Sequence, residues 1–182
     1  MLAPFQHRAV RTTMDYLPLI DRTKLHFKRS DVSPIFAHPQ AVATLVEDLI
    51  QPFLGDKVKY VAGLDAMGFI VGTAIALKLG VGFIPVRKSG KLAVAHDTET
   101  FQDYTKTDKA LTLRLNPFPK ESRILIVDEW IETGTQARAA ITLIERAGGT
   151  IAGITAIAFR KNPQTDELWK RFKCHSVWPE AT

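Results

Sequence analysis

A chain of 182 residues can build one α/β domain with a sizeable core and is too short for two ordinary ones. With 46% hydrophobic and 24% charged residues it has neither the composition of a disordered segment nor any repeat. Its single cysteine, Cys174, excludes an internal disulfide and a cysteine-rich zinc cluster, and the net charge of +5 suits an anionic ligand.

Residues 1–18 mix His7, Arg8, Arg11 and Asp15 among apolar residues, so no signal-peptide pattern forms. The longest uncharged run, 147–159, is glycine-rich and too short to span a bilayer. A cytoplasmic protein with no membrane partner is expected. Pro39 opens a helical pattern through Ala43, Leu45, Val46, Leu49 and Ile50, which Pro52 and Gly55 close. A strand at 58–63, a helix at 67–79 and a strand at 81–86 make a first βαβ unit. Residues 98–105 and 109–115, rich in Thr, Tyr and Phe, predict a hairpin or flexible arm. A strand at 123–128, a helix at 135–147 and a strand at 150–159 make the second βαβ unit. A short helix at 165–172 and a last strand near 174–178 follow.

The segment from Ile124 to Gln136 carries the most chemistry. Ile124 to Val127 are four aliphatic residues without alternation, as in a central parallel strand covered on both faces. Asp128 and Glu129 follow, then Thr133, Gly134, Thr135 and Gln136 open a helix. In open α/β sheets ligands bind beyond the carboxyl ends of strands, and a helix N-terminus attracts an anion. Adjacent carboxylates accept hydrogen bonds from vicinal hydroxyls or hold a hydrated divalent cation, but repel phosphate. Sugar at the acids and phosphate at the turn describes a ribose 5-phosphate. The basic cluster Arg87, Lys88 and Lys91 follows a predicted strand end, and no nucleic-acid-binding pattern occurs, so a nucleic-acid partner is not expected.

This segment resembles the 5-phosphoribosyl-1-pyrophosphate (PRPP) motif of the type I phosphoribosyltransferases. Three further blocks, Asp31-Val32-Ser33-Pro34, Val61 to Phe69 and Val86 to Leu92, resemble adenine phosphoribosyltransferases in the same order, and together the four cover about residues 15 to 160. The resemblance implies a central, mostly parallel sheet flanked by helices, in one domain over 1–182, with an N-terminal hood at 1–35 on the base side and a flexible arm at 92–115. It implies an enzyme that joins a purine or purine-like base to PRPP and releases pyrophosphate, with Mg²⁺ held mainly through PRPP and no dedicated metal cage. A homodimer is implied too.

By the same resemblance, Asp128 and Glu129 bind the ribose hydroxyls, Thr133, Gly134, Thr135 and Gln136 the 5-phosphate, and Asp65, Ala66, Met67, Arg87, Lys88 and Lys91 the pyrophosphate. Glu132 and the arm residue Asp103 are the catalytic candidates, with Tyr104 beside Asp103. Phe27, Arg29 and Ser30 lie on the base side. The chain departs from its relatives at several of these places. Met67 stands where they carry an Arg, Thr135 where they carry a second glycine, Gln136 where they carry a hydroxyl residue, and Ser30 where adenine enzymes carry an Arg. Glu132 replaces a small residue of the adenine enzymes; the hypoxanthine-guanine branch has an acid there, contacting N7 of the base. Trp130 replaces a smaller aliphatic residue and is expected to pack under the loop, and Met67 to pack in the core. These changes motivate an alternative, a regulatory protein that senses PRPP or a nucleotide without turnover.

Overall fold

The computed structural model describes residues 14–23, 30–102 and 106–178. Helix α1 (Pro39–Ile50) starts on a proline whose fixed φ suits a first turn, and it buries Leu45, Val46, Leu49 and Ile50. Strand β1 (Tyr60–Leu64), helix α2 (Met67–Leu79) and strand β2 (Gly82–Lys88) form the first βαβ unit, and Gly80 ends α2 in the left-handed conformation at φ 65°. Strands β3 (His96–Gln102) and β4 (Asp108–Arg114) form the hairpin. Strand β5 (Arg123–Ile131), helix α3 (Thr135–Arg146) and strand β6 (Thr150–Phe159) form the second unit, followed by helix α4 (Asp166–Arg171) and strand β7 (Cys174–Trp178).

All seven strands join one sheet in the order β3-β4-β2-β1-β5-β6-β7. Pairings from β2 to β7 are parallel, and only β4 against β2 and β3 against β4 are antiparallel. Strand β5 sits between β1 and β6, which is why Ile124 to Val127 need no alternation. Ile124 and Ile126 pack on one face with the apolar side of α3, whereas Leu125 and Val127 pack on the other with α1 and α2. Cys174 is a packing residue: its thiol is buried, donates to the Leu168 carbonyl, and is pushed by burial well above the ordinary thiol range.

Two strands run past their expected ends at the carboxyl edge by two residues or more. Strand β5 runs to Ile131 rather than stopping at 128, because Trp130 and Ile131 still pair with Ala158 and Phe159 of β6. Strand β2 runs to Lys88, because Arg87 and Lys88 pair with Thr112 and Leu111 of the hairpin. Before α1, the Asp31-Val32-Ser33-Pro34 block forms a turn in which Asp31 accepts from the Ser33 amide at 2.8 Å and from its hydroxyl at 2.7 Å. The short 3₁₀ turns Leu17–Leu19 and Ser33–Ala37 pack on the α1 face, and the Tyr16 hydroxyl donates to Asp48 of α1 at 2.7 Å.

Candidate active site

A cavity of about 700 Å³ opens beyond the carboxyl ends of β1 and β5. Asp65, Ala66 and Met67 form one wall, in the link from β1 to α2. Asp65 is buried; its carboxylate accepts from the Lys88 amide at 3.2 Å and lies 3.7 Å from Lys91 Nζ, so it ties the end of β2 to the start of α2. Met67, expected in the core, is half-buried at the first position of α2 and faces the cavity.

Asp128 and Glu129 form the floor. Asp128 is 4% exposed and accepts from the Glu129 amide at 2.9 Å, while Glu129 is half-buried. Trp130, read from the sequence as a packing residue, does two things: it stands edge-to-face on Trp178 with ring centroids 5.6 Å apart, and it also lines the cavity.

The third wall is the turn from β5 into α3. Gly134 is left-handed at φ 72°, and a Cβ there would meet Leu168 Cδ1 at 2.7 Å, so glycine is required on both counts. No side chain caps α3 and its first turn holds no acid, so the positive end of a helix of 12 residues is open to an anion. Thr133 and Thr135 place their hydroxyls 3.1 Å apart beside it, and Gln136 also lines the cavity. Glu132 is exposed at the cavity rim.

Of the basic cluster only Lys88 lines the cavity; Arg87 lies on the other face of β2 and Lys91 reaches Asp65 from outside. Among the described residues neither the buried Arg87 Nε nor the buried Ser30 Oγ has a hydrogen-bond partner, and Ser30 does not line the cavity. Phe27, Arg29, Asp103 and Tyr104 lie outside the described residues. The structure adds Ser89, Phe101 and the Asp108–Lys109–Ala110 stretch of the hairpin to the wall. Lys109 was within reach of sequence reasoning, as the cation that opens the second expected arm strand; Phe101 and Ala110 carried no such signal.

An open helix N-terminus and adjacent acids, sharing one cavity at the carboxyl edge of an α/β sheet, have the chemistry to receive a phosphorylated sugar. Residues 31–181 match the phosphoribosyl transferase domain, and the chain belongs to that family: it is a phosphoribosyltransferase. It is 40% identical to the adenine phosphoribosyltransferase of Thermobifida fusca over 127 residues, 70% of this chain and 72% of that one. The structure of adenine phosphoribosyltransferase from Thermoanaerobacter pseudethanolicus matches with a TM-score of 0.82 at 26% identity, covering 90% of this chain and 97% of that one. The Saccharomyces cerevisiae enzyme, complexed with D-2,5-dideoxy-2,5-imino-altritol 1,6-bisphosphate and adenine, matches with a TM-score of 0.73 at 29% identity, covering 81% and 85%.

Proposed function

We propose that the protein transfers the 5-phosphoribosyl group from PRPP to a purine base, with adenine the first candidate because the relatives above are adenine enzymes. The observation that carries the reading is the joint placement of Asp128, Glu129 and the uncapped start of α3 in one cavity. A 5-phosphate at Thr133 to Gln136 puts the ribose hydroxyls against the two carboxylates, which accept from them. The departing pyrophosphate then faces Ala66, Met67 and Lys88. With no Arg at position 67, Lys88 supplies positive charge in that wall, while Lys91 is held 3.7 Å from Asp65.

Little covalent chemistry falls to the protein. As pyrophosphate leaves, C1 of the ribose becomes electron-poor and a ring nitrogen of the base attacks it, so the residues position, stabilise charge and exclude water. Glu132, at the rim, takes the proton from the base. Segment 92–115, which includes Asp103 and Tyr104, acts as an arm that closes over the reacting centre, and 1–35, which includes Phe27, Arg29 and Ser30, as a hood on the base side. Among the described residues no three His, Cys, Asp or Glu side chains gather into a metal cage. The paired carboxylates suit a hydrated Mg²⁺ that takes its other ligands from PRPP and water. When bound, the ion supplies charge neutralisation at the pyrophosphate.

The protein works as one domain in the cytoplasm and pairs as a homodimer; no nucleic acid takes part. No helix among the described residues is long and apolar enough to cross a membrane. The outer side of α2, with Ile70 51% and Leu77 78% exposed, is an apolar face that supports the homodimer.

The test is pyrophosphate release from PRPP and Mg²⁺ with adenine, hypoxanthine, guanine, xanthine and non-purine bases in turn. Release with a purine establishes the reaction and names the base. Binding of PRPP without release with any base would return the chain to the sensing role.

A further inference from the structure

Two side chains outside the cavity grip the turn between β5 and α3 from behind. Asn162 Nδ2 donates to the Glu132 carbonyl at 2.9 Å, and Arg138 Nη2 donates to the Thr133 carbonyl at 2.8 Å. Neither residue lines the cavity.

Each donor is fixed at its other end. Asn162 Oδ1 accepts from the amides of Gln164 at 2.8 Å and Thr165 at 3.1 Å, so the side-chain amide cannot rotate and its nitrogen is aimed. Arg138 Nη1 donates to the Gln164 carbonyl at 3.0 Å, so one guanidinium spans both loops. At the centre sits Thr165, fully buried, whose hydroxyl donates to the Arg160 carbonyl at 2.7 Å and accepts from the Asn162 amide at 3.0 Å. Residues 160–165 are thus a bracket built before any ligand arrives.

Peptide planarity gives the bracket a consequence. In a trans peptide the carbonyl of one residue and the N–H of the next point in opposite directions. Drawing the Glu132 and Thr133 carbonyls back to Asn162 and Arg138 turns the N–H groups of Thr133 and Gly134 away from the bracket, on the side where the cavity lies. An anion site needs its donors forward and its carbonyls behind, since a carbonyl oxygen facing phosphate repels it.

We propose that Asn162 and Arg138 are positioning residues for the sugar-phosphate site, aiming the Thr133 and Gly134 amides by holding the carbonyls of residues 132 and 133. This rests on the reading of residues 133–136 as the 5-phosphate loop. Arg138 acts through geometry as well as charge: its two ends tie the turn to residue 164, which a single-headed cation cannot do.

Two conservative variants test it. Asn162→Asp keeps both bonds accepted at Oδ1, hence the bracket, but replaces the donor to Glu132 with an oxygen. Arg138→Lys keeps the charge and the aliphatic stem but cannot serve both carbonyls. Ribose 5-phosphate and, separately, pyrophosphate are titrated calorimetrically into native and variant proteins. Ribose 5-phosphate should bind about tenfold more weakly in each variant, and pyrophosphate within about twofold of native, as loss of one aligned hydrogen bond implies. In turnover KM for PRPP should rise in step, with kcat little changed. Native affinity for ribose 5-phosphate in a folded variant removes that residue from the proposal, and equal weakening of both ligands overturns it in favour of general loosening. If the native protein itself does not bind ribose 5-phosphate, the phosphate-loop reading fails, a result separable from either of these.

Discussion

Gly68 leaves no room for a side chain against Asp128: a Cβ built on Gly68 would lie 2.7 Å from the Val127 carbonyl and 3.2 Å from both Cα and Oδ1 of Asp128. Helix α2 therefore begins against the carboxyl end of β5, which is what brings Ala66 and Met67 to the same cavity as the paired acids. The obstacle is backbone, so it cannot yield as a side chain tip would. Gly68→Ala should cost about 1–3 kcal/mol in stability, the usual range for overpacking, and should raise KM for PRPP by pushing α2 off Asp128. Gly55→Ala, where nothing lies within 4 Å, is the control and should leave both unchanged. Thermal denaturation with PRPP kinetics on the two variants checks this.

A pH effect on stability follows from His175. It is buried on β7, and its Nε2 lies 3.0 Å from the Asp48 carbonyl at the end of α1. Burial lowers its pKa below the ordinary value, outweighing the opposing pull of that carbonyl and of the Asp48 charge. An unfolded histidine takes up a proton near pH ~6.5 while the folded one resists, so the unfolded state binds more protons in acid. The contribution is fully present above that value and is lost as pH falls from it towards the depressed folded pKa, at up to ~1.4 kcal/mol per pH unit. Urea unfolding between about pH 7.5 and pH 5.5 should show the loss in the native protein and a flatter profile in His175→Gln. Equal slopes in both would contradict it.

One arginine clips the outer strand of the hairpin to α3. Arg146, in the last turn of α3, reaches both carboxylate oxygens of Asp97 at 3.1 and 3.0 Å and also bonds Glu99, two residues along the same face of β3. Together the two acids hold its guanidinium pKa above the ordinary value, Glu99 contributing most. The pairs are solvent-exposed, so they contribute little to overall stability. Their effect should be local: Arg146→Ala should leave the melting temperature nearly unchanged while β3 and β4 amides exchange several-fold faster, about what half a molar salt does to the native hairpin. Because Asp108, Lys109 and Ala110 of β4 wall the cavity, KM for PRPP should rise with exchange. Unaltered hairpin exchange in Arg146→Ala is the contrary result.

Much of this architecture was legible in the sequence because it is written locally. The uninterrupted run from Ile124 to Val127 requires cover on two faces, and α3 shows its period in Ala137, Ala140, Ile141 and Ile144. What was not legible depends on partners far along the chain. Arg87 and Lys88 are strand residues only because Thr112 and Leu111 pair with them, and that pairing put one on each face of β2, dividing a cluster that looked uniform. Trp130 packs, as read, but its partner Trp178 and its place in the cavity wall are invisible from its neighbours in sequence. Asn162, in a polar stretch after β6, carried no signal at all, since its bond to Glu132 spans 30 residues. The buried polar residues Thr155 and His175 are explained the same way: they donate to the carbonyls of Leu49 and Asp48, completing the last turn of α1 from across the sheet.

Glu132 separates a chemical role from a merely exposed acid. It sits at the cavity rim directly before the turn into α3, and its backbone is anchored by Asn162, so its carboxylate starts from a fixed point. For a purine to attack through one ring nitrogen it must lose a proton, and a carboxylate within reach can accept it. Glu132→Gln keeps the size of the side chain and one accepting oxygen, and removes its charge and its basicity. The expected result is a fall in kcat of about 10²-fold or more with KM for PRPP nearly unchanged, and the same fall in Glu132→Ala accompanied by a change in which base is preferred. Steady-state rates with adenine and hypoxanthine on the three proteins decide it. A Glu132→Gln enzyme that turns over at the native rate would leave Glu132 as a solvent-facing loop acid and move the proton acceptor to the arm.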